Sequence, residues 1–131
     1  MAWSGFAAVG GGAAVGAWMR WGLGIAFNPL FPTLPMGTLA ANLVGGLLMG
    51  FAMELLTRHA VLPVEVRLLV TTGFLGGLTT FSTFSAEVVT LLARREYLWG
   101  SIAVGAHVVG SLTMTIFGIA LVRALYAWGT S

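Results

Sequence analysis

Ten charged side chains, six Arg and four Glu with no Lys or Asp, cut this 131-residue chain into long uncharged runs. The runs are Met1–Met19, Trp21–Met53, Leu68–Ala86 and Tyr97–Val122. An uncharged apolar stretch of about 18 residues or more reads as a membrane-spanning helix. A soluble domain carries about a quarter charged residues, and this chain carries 8% against 58% hydrophobic. In water such a fold would be left with apolar surface it has no polar groups to cover, whereas a bilayer accepts that surface. At about 20 residues per span, the length holds four spans and short loops, with no folded soluble domain beside them. One transmembrane domain over residues 1–131 is therefore expected. The net charge of +2 comes without a basic patch, so nucleic acid is not an expected partner. Zero cysteines exclude a disulfide framework, a thiolate metal site and a thiol nucleophile.

The second run is too long for one helix, and Asn28, Pro29, Pro32 and Pro35 interrupt it near its start. Four helices follow, over roughly residues 3–27, 36–57, 64–94 and 97–128. The first lacks a basic segment before its apolar stretch, so it reads as a mature span rather than a signal peptide. Orientation in a membrane follows the Arg and Lys content of the loops. Here Arg58, Arg67 and Arg123 fall on one side and Arg20, Arg94 and Arg95 on the other, a balance that permits insertion in both orientations and pairing of opposed copies. If Arg20 is buried and uncounted, a weak bias remains. Trp3, Trp18, Trp21, Trp99 and Trp128 suit interfacial belts. The chain has 19 glycines, among them Gly12 and Gly16, Gly46 and Gly50, and Gly110 to Gly118, at spacings that let helix backbones approach closely.

The third span is unlike the others. Thr71 to Ser85 reads TTGFLGGLTTFSTFS, placing Gly73, Gly76 and Gly77 with seven hydroxyl side chains in mid-membrane. Glycine weakens a helix and Ser and Thr compete for backbone partners, so the backbone is expected to unwind between Gly76 and Thr80. Unwound backbone survives in a membrane only when buried in protein or lining a polar cavity, where carbonyls can bind a cation and N–H groups an anion. A simple glycine hinge would not need the hydroxyls. Phe81 and Phe84, three residues apart, share a face where the helix resumes, and an aromatic edge is positive enough to favour an anion.

In the second helix Thr38, Asn42 and Gly46 fall at steps of four and share a face. The Asn42 amide has two open roles, donor to an anion or hydrogen-bonded glue between helices. His107, Ser111 and Thr115 form a similar stripe on the fourth helix. Glu87, the acid well inside a span, is a candidate functional group; its alternatives are a pair with Arg20 or bonds to hydroxyls.

Three segments carry a family resemblance: GAWMRW at Gly16–Trp21, GTLAANLVGG at Gly37–Gly46 and GFLGGLTTFSTFSAE at Gly73–Glu87. In order and spacing the sequence resembles the Fluc (CrcB) fluoride channels of microorganisms, with the third segment the most specific. The resemblance implies an all-α integral membrane protein with four transmembrane helices per subunit, a broken third helix, and an antiparallel dual-topology homodimer in the cell (inner) membrane. Its function would be passive, fluoride-selective export from the cytoplasm that lowers fluoride toxicity, and it would not be an enzyme. It also implies a structural Na+ on the dimer axis, held by the main-chain carbonyls of Gly76 and Thr79 from both subunits. Phe81, Phe84 and Asn42 would line the fluoride pathway, with Thr38, Thr80, Ser82, Thr83, Glu87, Ser111 and Thr115 as further polar groups and Arg20 at a vestibule. Nothing in the motifs assigns His107. A small fluoride ion must exchange its water for several neutral donors without being trapped by a cationic side chain, and this residue set meets that need. The rival from another class is a small proton-coupled multidrug-type transporter. That class uses a first-helix glutamate, and this first helix carries Arg20 instead.

Overall fold

The computed structural model describes residues 3–131; Met1 and Ala2, inside the expected domain and the first uncharged run, lie outside the described residues. The described chain is helical with no strand. Its elements are α1 (Trp3–Phe27), a 3-10 turn (Asn28–Leu30), α2 (Met36–Arg58), α3 (Val64–Arg67), a π-helical segment (Leu68–Leu75), α4 (Gly76–Leu78), α5 (Phe81–Ala93) and α6 (Tyr97–Gly129). Three stretches are long and apolar enough to cross a membrane: Met36–Arg58, Val64–Ala93 and Tyr97–Gly129. Helix α1 has 25 residues, enough for a crossing, but its glycines, its tryptophans and Arg20 lower its hydropathy. At the usual helical rise α6 is about 50 Å long, more than the hydrocarbon core of a bilayer.

The helices form a bundle in which α1 packs on the π segment and α4, α2 packs on α6, and α5 rests on α6. Small residues make those contacts possible. A methyl group on Gly12 would collide with the backbone of Leu69 and Phe74, and one on Gly16 with the backbone of Phe74 and Leu78. Across the bundle, Gly46 faces the Ser111 carbonyl, while Gly50 and Gly118 face each other's backbone. Close backbone approach, rather than large interlocked side chains, holds these helices together. Two small apolar clusters complete the interior, one around Leu34, Leu39, Leu91 and Ala103, the other around Ala41, Ala52, Leu75 and Leu78. The outer surface is apolar, with Ile102, Val109, Leu112, Ile116 and Phe117 of α6 all exposed.

Polar groups fasten the ends. Helix α2 starts after Pro35, and its first N–H groups are capped from a distance: Asn28 Oδ1 accepts from Gly37 N at 2.7 Å and Thr38 N at 3.1 Å. At its other end Arg67 donates to the carbonyls of Leu56 and His59 at 2.9 and 3.1 Å. Glu54 pairs with Arg58 and with Arg123 of α6, both at 3.0 Å.

The expected unwinding from Gly76 to Thr80 is corrected in extent. Gly76, Gly77 and Leu78 remain helical, and only Thr79 (φ −85, ψ 154) and Thr80 (φ −147, ψ 117) are extended. The physical reason is packing: a Cβ on Gly77 would meet the Ala13 backbone of α1, so Gly77 serves a helix–helix contact instead of loosening the chain. The π-helical stretch just before them was not foreseen.

This packing generates a test. Gly16→Ala inserts a methyl group into backbone and should destabilise the protein by about 1–3 kcal/mol. Gly22→Ala, where nothing lies within 4 Å, should leave stability unchanged or raise it by about 0.5–1 kcal/mol. Thermal unfolding of both variants in detergent measures the difference.

A broken helix beside a polar and aromatic groove

The break is held by one side chain. Asn42 of α2 accepts from Thr80 N at 2.8 Å through Oδ1 and donates to Thr80 O at 3.0 Å through Nδ2. Both backbone groups of the extended residue are thereby satisfied, which an intramembrane break requires. The hydrogen bonds of neighbouring residues shift in turn. Because Thr80 N–H goes to Asn42, the Gly76 carbonyl loses its usual donor four residues on. Thr83 N–H goes to the Thr80 hydroxyl at 3.1 Å, capping α5, so the Thr79 carbonyl loses its usual donor as well. The Leu75 carbonyl keeps two donors, Thr79 N at 3.1 Å and Thr79 Oγ1 at 2.9 Å. Arg20 Nε–H of α1 donates to the Gly77 carbonyl at 3.0 Å, which places a cation at the end of α4.

A groove of about 440 Å³ runs beside the break. Asn42, Gly76, Thr79, Thr80, Phe81, Phe84, His107, Ser111 and Thr115 line it together with apolar side chains, and no arginine or glutamate does. Phe81 is 79% exposed and meets the buried Phe84 edge-on, with ring centroids 5.6 Å apart and an interplanar angle of 75°. Phe84 stacks on the His107 imidazole at 4.5 Å. Facing them, Thr115 donates to the Gly46 carbonyl at 2.9 Å or the Ser111 carbonyl at 3.0 Å, and Ser111 lies 3.5 Å from the Asn42 carbonyl.

Other expected site residues gather elsewhere. A second cavity of about 290 Å³ is lined by Thr83, Glu87, Thr90 and Arg94 with the Pro32–Pro35 loop. There the buried Thr38 hydroxyl donates to Glu87 Oε1 at 2.6 Å, so Glu87 bonds a hydroxyl and does not pair with Arg20. Ser82 is exposed and lines neither cavity, and Arg20 lines neither. Helix α5 thus carries Phe81 and Phe84 toward one cavity and Thr83 and Glu87 toward the other. The sequence reading took Asn28 only as part of the break between two spans and missed that its amide oxygen caps α2. It also left His107 unassigned, although its spacing of four from Ser111 marks the same helical face.

Among the described residues no cluster of three or more His, Asp or Glu side chains exists to hold a metal. Any cation here would be held by main-chain oxygen, and the exposed Gly76, where a Cβ would meet only the Thr71 carbonyl at 3.8 Å, leaves its surroundings open. The residues present therefore fit a small hard cation in the manner of unwound membrane helices.

These features define a helical membrane protein organised around a helix broken beside a neutral, aromatic-lined groove. The chain belongs to the CrcB-like family, matching over residues 7–119 the family described as "CrcB-like protein, Camphor Resistance (CrcB)". It is 60% identical over 118 residues to a protein of Nitrosospira multiformis, a match covering 90% of this chain and 92% of that one. A protein of Tolumonas auensis is 58% identical over 114 residues, covering 87% and 90%, and one of Cupriavidus metallidurans is 55% identical over 121 residues, covering 92% and 96%. All three are named fluoride-specific ion channel FluC.

The Asn42 clamp predicts that Asn42→Leu leaves both Thr80 backbone groups without partners. Stability should fall by about 1–3 kcal/mol per group lost, and the Thr80 amide should exchange its hydrogen faster than in the unsubstituted protein. Hydrogen exchange with residue-level readout measures this.

Proposed function

We propose that this protein is a passive, fluoride-selective channel that exports fluoride from the cytoplasm and so limits its toxicity. The observation that carries the reading is the groove itself, where amide, hydroxyl and ring-edge groups lie beside a broken helix and no side-chain cation is present to trap an anion. The names of close relatives support it. Its site is the cell (inner) membrane.

The working unit is an antiparallel, dual-topology homodimer with four spans per subunit, α1 serving as the first. The even division of arginines between the two sides supports dual insertion. Gly76 and Thr79 of both subunits hold a structural Na+ through main-chain oxygen. Supporting this is the diversion of both carbonyls' usual donors, which leaves one chain offering two oxygens and a second chain needed for the rest. Such an ion supplies positive charge and ties the two breaks together. Phe81 and Phe84 carry ring edges along the fluoride path, with Ser111 and Thr115 opposite; Thr83 and Glu87, the latter bound by the Thr38 hydroxyl, gather at the separate second cavity, and Ser82 lines neither. Arg20 draws anions into the vestibule, with one of its five donors spent on Gly77.

Fluoride efflux from liposomes holding the purified protein, read with an ion-selective electrode and with potassium permeability supplied by an ionophore, tests the reading. Fluoride should leave without a proton gradient while chloride stays. Release of neither anion from vesicles with intact dimer would overturn it, and flux that needs a pH gradient would move the coupled transporter ahead. Phe81→Ile or Phe84→Ile should lower fluoride flux about tenfold, the scale of one lost ring-edge interaction, with the dimer intact by size-exclusion chromatography.

A further inference from the structure

The joined ends of α2 and α6 gather more positive charge than their packing uses. With 23 residues α2 is about 35 Å long, so crossing a bilayer core of about 30 Å brings its last turn to the headgroup level. Three guanidiniums and one carboxylate meet around that turn. Glu54, only 13% exposed, takes Arg58 on Oε1 and Arg123 of α6 on Oε2, each at 3.0 Å. Arg67 spends its Nη2 on the carbonyls of Leu56 and His59. Glu65, the acid nearest to Arg67 in the chain, bonds Ser4 of α1 at 3.0 Å instead. Arg58 is further held over the Tyr126 ring, 4.4 Å from its centroid. Arg123 is the least engaged of the three. Its side chain is 66% exposed and, among the described residues, only its Nε–H finds an acceptor, so the N–H groups of both terminal nitrogens remain unspent.

The helix surface that leads to this fork is apolar. Val109, Ile116, Ala120 and Arg123 share one face of α6, and all four are exposed. Val109 lies about 21 Å from Arg123 along the helix, more than one leaflet's share of the hydrocarbon core. Past Arg123 the helix continues through Tyr126 and Trp128, aromatic types that suit the membrane–water boundary.

We propose that Arg123 and Arg58 form a site for the phosphate of an anionic membrane lipid, with an acyl chain lying along the Val109, Ile116 and Ala120 face of α6. Charge complementarity selects this occupant. The apolar face alone would accept any lipid, whereas the cluster's excess positive charge favours a headgroup with a net negative one. A guanidinium fork grips two phosphate oxygens at once, and every Lys or Arg position in the chain is Arg. Glu54 holds Arg123 by Nε and so orients the two terminal nitrogens, and Arg58 adds Nη1, the nitrogen that Glu54 does not take. Arg58, Arg123 and Tyr126 line neither cavity, so this site is separate from the groove and stands or falls independently of the fluoride reading.

Thermal unfolding of the full chain in neutral detergent, with phosphatidylglycerol, phosphatidylcholine or inorganic phosphate added in turn, tests the proposal. Phosphatidylglycerol should raise the unfolding temperature more than phosphatidylcholine at equal mole fraction, and inorganic phosphate should leave it unchanged. Arg123→Gln, which leaves the Glu54 and Arg58 pair in place, should raise the phosphatidylglycerol concentration for half the shift about fivefold or more, the worth of one arginine at an anionic membrane surface. Arg123→Lys, which keeps the charge and loses the fork, should recover part of that loss. Native mass spectrometry should show phosphatidylglycerol retained by the unsubstituted protein and depleted from Arg123→Gln. Equal shifts with the two lipids, or an undiminished phosphatidylglycerol effect in Arg123→Gln, overturns the site. A shift reproduced by inorganic phosphate assigns the fork to a free anion and overturns the lipid. Stability that follows protein concentration and ignores lipid means that a second copy covers this face of α6, which overturns it as well.

Discussion

Everything distinctive in this protein depends on a side-chain amide standing in for a peptide group. A helix that stops inside a bilayer exposes donors and acceptors that no water can satisfy. Asn42 answers both groups of Thr80 at 2.8 and 3.0 Å, as a neighbouring strand would. The consequences run outward through the hydrogen bonds. Taking the Thr80 N–H frees the Gly76 carbonyl, the Thr80 hydroxyl caps α5 and frees the Thr79 carbonyl, and the remaining Asn42 hydrogen orients His107. The Asn42 clamp and the cap it leads to therefore determine which backbone oxygens lose their helical donors and which imidazole nitrogen accepts a hydrogen bond.

That clamp works only if α2, the broken span and α6 lie close together, and the small residues set those distances. With glycine at positions 12, 16, 73 and 77, α1 and the first half of the broken span touch backbone to backbone; with glycine at 46, 50 and 118, α2 and α6 do the same. Lipid gives apolar side chains no reason to leave the surface, so close packing and polar bonds must supply the association. The charged groups follow the same division. Arg58, Arg123 and Glu54 join the C-terminal ends of α2 and α6, Arg67 caps the same end of α2, and no charged side chain lines the groove.

The helical, membrane-embedded class was legible in the uncharged runs, because hydropathy over 20 residues is a local property. The position of the break was legible too, since hydroxyls and glycines gathered in mid-span disfavour a continuous helix. Its length was not. Gly76 and Gly77 looked like weak points by propensity, yet Gly77 stays helical where α1 crosses it at Ala13, and a crossing partner some 60 positions earlier in the chain leaves no local mark. What separates Thr79 and Thr80 from the helix is Asn42, 38 residues away. Asn42 taken alone left donor and glue both open; the structure makes it glue to backbone. The π-helical run over Leu68–Leu75 had no signal in composition at all. Insertions of this kind shift the face a helix presents, and this one lies directly before the glycines that meet α1.

The division of labour along α5 bears on how such a site handles an ion. Phe81 and Phe84 face the larger cavity and Thr83 and Glu87 the smaller, so a single helix separates an uncharged aromatic environment from an acidic one. A carboxylate in the same groove would repel an anion outright, and an arginine would hold it. Placing Glu87 against the buried Thr38 hydroxyl keeps it away from the groove. What remains there is a set of dipoles already committed to one another: the amide to backbone and imidazole, Thr115 to carbonyls, Phe84 to His107. Groups held by such contacts are oriented before an ion arrives, which lowers the reorganisation that binding requires. Selection then falls on the few donors that the network leaves over, and their number is set by the same bonds that close the break.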